Sequence, residues 1–265
     1  MNRIDRTFKR LKAQRRKAFI AYITAGDPDL ATTLTLVREM PDSGVDIIEL
    51  GVPFSDPIAD GPTIQAASQR ALAKGATVKK ILGVVKSARL KTDIPIVLMT
   101  YYNPVLRYGL KEFFSSCRKC GVDGVIVPDL PYEESADLVA AAREEAVATI
   151  FLAAPTSTPE RIKKIVSKSR GFVYYVSLTG VTGARRALPP DIGAGIRRIR
   201  SVADKPVAVG FGVSSPEQAR ALARVADGVI VGSAIVKIIS DRRNAVARVS
   251  KFAGKLAKAI HSVQS

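Results

Sequence analysis

The chain has a single histidine, two cysteines and no uninterrupted apolar run near the roughly 18 residues that a membrane span requires. Each shortage closes off a class of protein. One histidine, His261, excludes a Ser-His-Asp triad built along the chain, and it reads as a surface residue near the end of an amphipathic C-terminal helix. Cys117 and Cys120 cannot supply a disulfide framework. With His261 remote they fall short of the about four ligands that zinc takes, so the expected metal is none. Their CxxC spacing ends a helix just before Gly121, whereas a redox pair would open one. Residues 1–17 are charged throughout and hold no signal-peptide core, so the expected compartment is the cytoplasm, without membrane contact. The turn Thr24-Ala25-Gly26-Asp27-Pro28 lacks G-x-G-x-x-G spacing, which argues against an open dinucleotide-binding sheet.

What is present is a folded composition, 47% hydrophobic and 25% charged over 265 residues. Lys and Arg number 41 against 24 Asp and Glu, a net charge of +17 that attracts anions of any kind. Nothing resembles an RNP motif, a zinc finger or a basic leucine zipper, so no nucleic-acid partner is expected. Short β-branched runs recur at 18–24, 46–52, 95–101, 124–128, 149–153, 172–177, 206–210 and 228–231. Between them lie stretches of helical period, such as 133–145, 159–169 and 216–225, that start at Ser, Thr or Pro. Eight units of about 33 residues without a Gly/Ser linker fit a single (β/α)8 TIM barrel spanning residues 1–265 as one domain. An extra N-terminal helix precedes it, with Ile4, Phe8 and Leu11 on one face and a basic solvated face opposite.

Catalytic groups in such a barrel stand at strand C-terminal ends. In the second run, period two puts Ile47, Glu49 and Gly51 on one face, which carries an acid that hydrocarbon would exclude. Assigned to the barrel interior, Glu49 has its pKa raised by desolvation and suits proton transfer near neutral pH; a buried ion pair is the structural alternative. Pro53, Pro57 and Pro62 stiffen the loop that follows, which carries Asp56 as a turn former and Asp60 as a carboxylate held over the mouth. Glycines gather after the last three strands, Gly180 and Gly183, Gly210 and Gly212, then Gly232 ahead of a short helix. Such backbone admits phosphate, and tight turns alone are the alternative.

The run ELGVPFSDPIADGP from Glu49 to Pro62 resembles the signature of the tryptophan synthase alpha chain family. MTYYNP from Met99, VPDLP from Val127, YYVSLTGVTGAR from Tyr174, GFGVS from Gly210 and GSAIV from Gly232 extend the similarity over essentially the whole chain. The resemblance implies a lyase that splits indole-3-glycerol phosphate by a retro-aldol reaction into indole and glyceraldehyde 3-phosphate. It implies no cofactor in this chain, and a beta chain partner that carries PLP, in an alpha2beta2 heterotetramer. Glu49 matches the family's catalytic acid/base and Asp60 the group that holds the indole N–H. Tyr174 matches an active-site tyrosine, and Tyr22, Met99, Tyr101 and Ile126 fall where the indole pocket should be. Thr182 lies in a loop, 178–188, that in the family closes over substrate. Gly183, Phe211, Gly212, Gly232 and Ser233 match the phosphate contacts. The loops after strands two, three and six are expected to dock on the beta chain. Surface charge and Arg185-Arg186 depart from the family pattern. A noncatalytic activating subunit, or another phosphate-binding barrel such as indole-3-glycerol phosphate synthase, are the alternatives; the latter should show a Lys general acid on a strand, and none is evident.

Overall fold

The computed structural model describes residues 1–176, 192–202, 204–210 and 212–263. Among these, nine parallel strand segments form one sheet: β1 (Ala18–Thr24), β2 (Ile47–Gly51), β3 (Ile96–Met99), β4 (Gly124–Ile126), β5 (Ala148–Ile150), β6 (Leu152–Ala153), β7 (Val173–Val176), β8 (Val207–Gly210) and β9 (Gly228–Val231). Twelve α-helices accompany them: α1 (Arg3–Ala13), α2 (Leu30–Glu39), α3 (Pro62–Ala73), α4 (Val78–Ala88), α5 (Tyr102–Tyr108), α6 (Leu110–Cys120), α7 (Ala136–Glu144), α8 (Pro159–Lys168), α9 (Ile192–Arg200), α10 (Pro216–Ala223), α11 (Ser233–Ser240) and α12 (Ala245–His261).

The order β5-β4-β3-β2-β1-β9-β8-β7-β6 is the TIM barrel that the alternation predicts. One predicted strand differs. The run at 149–153 is split at Phe151, whose N–H goes to Ser169 Oγ at 3.3 Å. Its first half pairs with β4 and its second with β7, so the ring closes through the broken strand. The helix starts follow local chemistry: Thr77, Thr158 and Ser215 cap α4, α8 and α10 by accepting from Lys80, Arg161 and Gln218 N–H, and Pro159 and Pro216 occupy first-turn positions that need no donor.

Inward side chains alternate along each strand and fill the barrel. Ile20, Ile47, Val97 and Phe172 form its lower layers, and α1 closes that end like a plug, with Ile4, Phe8 and Leu11 buried against them. The Phe8 and Phe172 rings stand 5.8 Å apart. The apolar face of α1 therefore has a specific seat. His261 does not stand on the surface as its sequence context suggests. Its side chain is 12% exposed, and Nε2 meets Asp46 Oδ2 at 2.8 Å, which ties the end of α12 to the foot of β2. Cys120 ends α6 before Gly121, whose φ of 87° suits a residue without Cβ, and burial pushes the Cys117 thiol up.

Candidate active site

Strand β2 delivers Glu49 to the interior, with Tyr22 opposite it on β1 and Val97 on β3. Glu49 is 1% exposed, and its Oε2 is buried with no hydrogen-bond partner among the described residues. The ion-pair alternative thus finds no cation within 4.0 Å among the described residues. Loss of hydration, reinforced by the Asp60 charge, pushes the Glu49 carboxyl up to about 8, so at neutral pH it holds its proton.

Asp60 sits on the loop between β2 and α3. That loop folds on itself through Ile58 N–H to Asp56 O at 2.9 Å and Asp60 N–H to Pro57 O at 3.0 Å, and the exposed Asp56 serves the turn. From α3, Gln65 Nε2 donates to the Asp60 carbonyl at 2.9 Å. From β3's end, the Tyr101 hydroxyl accepts from Ala59 N–H at 3.0 Å, and its ring lies 5.2 Å from that of Phe54. Burial pushes Asp60 up to about 6, and a hydrogen bond from Tyr101 pulls it the other way. Two neighbouring carboxyls therefore differ at neutral pH: Glu49 is an acid, Asp60 an anion.

Around them an apolar wall assembles, with Tyr22, Met99, Ile126 and Tyr174 on inward strand positions. Tyr175 points outward into the helix layer. Two glycines make room for the tyrosines. A Cβ at Gly51 would stand 2.1 Å from the Tyr22 hydroxyl, and one at Gly210 would stand 2.3 Å from that of Tyr174. Gly210 thus has a packing reason separate from any phosphate turn.

The roof was not read from the sequence: Ile64 and Ala67 of α3 and Val236 of α11 pack with Tyr22. The spacing of Ile64, Ala67 and Ala71 on one helical face is the signal that could have found it. Nor was the latch that seats α3. Arg70 binds Asp27 bidentately at 2.8 and 2.7 Å, across 43 positions of chain.

At the other end of the pocket, Gly232 precedes α11 and Ser233 is its first residue, so first-turn N–H groups without intrahelical partners lie beside Tyr22; a Cβ at Gly232 would come 3.3 Å from Tyr22 Cβ. Gly212, with φ of 37°, follows β8 next to it. Free backbone N–H groups at a helix start suit an anion. Thr182, Gly183, Phe211 and the 178–188 loop lie outside the described residues.

The sequence profile of the tryptophan synthase alpha chain matches residues 8–261. The chain belongs to the tryptophan synthase alpha chain family. A tryptophan synthase alpha chain of Geotalea daltonii is 53% identical over 237 residues, covering 89% of this chain and 90% of its own. One from Caldanaerobacter subterraneus is 52% identical over 244 residues, 92% of this chain and 93% of its own. Among solved structures, tryptophan synthase of Mycobacterium tuberculosis superposes with a TM-score of 0.92 at 41% identity, covering 98% of both chains. The alpha chain from Legionella pneumophila gives 0.90 at 36%, covering 98% of this chain and 97% of its own.

Proposed function

We propose that Glu49 and Asp60 carry out the retro-aldol cleavage of indole-3-glycerol phosphate, with residues 1–265 acting as one domain. As a member of its family the chain is a lyase of tryptophan biosynthesis. Glu49, protonated at neutral pH, gives its proton to C3 of the indole ring, and Asp60 accepts a hydrogen bond from the ring N–H as positive charge develops there. The resulting Glu49 carboxylate then takes the proton of the side-chain hydroxyl next to C3. The C–C bond breaks, its electron pair returns to the ring, and indole and glyceraldehyde 3-phosphate result. The proton given by Glu49 stays on C3 of the released indole and the hydroxyl proton takes its place on Glu49, so the step balances without a cofactor.

Tyr22, Met99, Tyr101, Ile126, Tyr174 and Thr182 hold the indole. Gly183, Phe211, Gly212, Gly232 and Ser233 hold the phosphate at the opposite end. The observation that carries this reading is the buried Glu49 oxygen, without a partner among the described residues, beside a second carboxylate. The beta chain docks over the mouth, in an alpha2beta2 heterotetramer in the cytoplasm with PLP confined to the beta chain. Ile58 after β2 and Leu106 after β3, 83% and 54% exposed, are large apolar side chains placed for that contact. Indole release by the purified chain, with and without beta chain, tests the reading: Glu49→Gln should lose at least about a thousandfold in kcat. Full release by this variant would remove Glu49 from the chemistry and leave a noncatalytic activating role.

A further inference from the structure

We propose that the N-terminal face of the barrel, opposite the mouth, is a binding groove for a linear phosphate chain such as inorganic polyphosphate. Three cavities of about 770, 470 and 350 Å³ surround α1 there, and their walls carry thirteen Lys and Arg against six Asp. The two larger ones adjoin along the outer side of α1, where Arg3 and Arg6 line both. Arg3, Arg6 and Arg10 line the groove at helical spacing, on the side of α1 away from the barrel plug.

Ordinary structural needs account for only part of these cations. The macrodipole favours Lys86, Arg118 and Lys119 at the C-terminal ends of α4 and α6, but it disfavours Arg3 and Arg6 near the start of α1. The carboxylates on the groove walls are already engaged. Asp123 is held by Arg89 at 2.7 Å and Arg3 at 3.2 Å, Asp46 by His261, and Asp93 by Arg3 at 2.6 Å. Lys86, Arg118 and Lys119 have no carboxylate within 4.0 Å among the described residues. Arg16, shared by the second and third cavities, keeps a buried Nε without a partner.

The choice of a phosphate chain over a nucleic acid follows from what the groove does not offer. No Phe, Tyr or Trp lines its two larger cavities, so bases find no stacking platform, while phosphate oxygens need only donors and positive charge. A chain of phosphates can run from Arg10 past Arg6 to Lys119, and the groove stays open when the mouth at the other end is covered.

Fluorescein-labelled polyphosphate titrated into the full chain, read by anisotropy at low and moderate salt, tests this. Binding should saturate and weaken steeply with salt. Neutralising the groove by Arg6→Gln, Lys86→Gln, Arg118→Gln and Lys119→Gln together should weaken it about tenfold or more. Neutralising four exposed lysines elsewhere (Lys163→Gln, Lys164→Gln, Lys251→Gln and Lys255→Gln) should change it by about twofold or less. Both variants should release indole as the parent does. Absence of binding by the parent chain, equal losses in the two variants, or no loss in the groove variant would each overturn the proposal. So would an oligouridylate of equal charge that binds as tightly as polyphosphate.

Discussion

Asp46, Asp123 and Asp227 each stand one residue ahead of a strand, at the foot of the barrel. Each accepts an N–H from the start of the neighbouring strand, Phe19, Ile96 and Val207 respectively. Each also meets a cationic or imidazole partner: His261 for Asp46, Arg89 for Asp123, Arg200 for Asp227. At the other end of the barrel, on β2 and the loop after it, Glu49 and Asp60 are buried with no salt-bridge partner among the described residues. The lower carboxylates exchanged water for fixed donors and became structure. The upper ones lost water with little in return, and the resulting shifts to about 8 and about 6 suit the reagent roles proposed for them.

Glu49→Gln tests this contrast most strongly, because activity and stability should move in opposite directions. The Glu49 carboxyl is raised from 4.5 to about 8. Below its ordinary value both the folded and unfolded chains hold the proton, and burial costs nothing by this route. As pH climbs through that interval the unfolded chain ionises first and is favoured, by roughly 5 kcal/mol once pH passes the folded value. The Gln variant escapes that penalty. It should therefore be inactive yet more stable to urea than the parent at pH 9, with the gap narrowing toward pH 5. A parent equally stable relative to the variant at both pH values would show that Glu49 is not the shifted group.

Asp123→Ala should do the reverse. It strips Arg89, whose side chain is 11% exposed, of its counter-charge and leaves Ile96 N–H without an acceptor. The expected cost is about 3–5 kcal/mol of unfolding free energy, with kcat per folded molecule unchanged. Loss of kcat without loss of stability would erase the distinction between the two ends.

Asp60→Asn sharpens the upper half alone. The parent should show a bell-shaped kcat/KM, rising near pH 6 as Asp60 ionises and falling near pH 8 as Glu49 loses its proton. In the Asn variant kcat should fall by about a hundredfold. The alkaline limb should move to lower pH, because the Asp60 charge that helps hold the Glu49 proton is gone. An alkaline limb that stays in place would mean that the two carboxyls do not communicate.

The upper end was the more legible in the sequence. Period two along Ile47, Glu49 and Gly51 was enough to turn the acid inward, and strand–helix alternation was enough to give the barrel. What stayed hidden was long-range and polar. The break at Phe151 depends on a hydroxyl from Ser169, on a later element. The roof on Tyr22 and the Arg70–Asp27 latch join segments whose own patterns say only helix and turn. Gly210 reads as a turn or phosphate glycine until the Tyr174 hydroxyl above it is located, and the strand pattern around Gly51 gives no sign of the Tyr22 hydroxyl it accommodates.

His261 shows the same limit at the foot, and offers the mildest test. Its partner Asp46 is 215 residues away, so its position near the end of an amphipathic helix predicted only a surface role. Arg16 Nη2 faces its Nδ1, and its Nε2–H donates to Asp46. His261→Ala removes that donor but leaves Asp46 its Phe19 N–H, so the loss in urea stability should be about 1–2 kcal/mol, below that of Asp123→Ala, with indole release intact. A loss as large as that of Asp123→Ala would mean that His261, rather than the backbone donor, is what holds Asp46 in the foot of the barrel.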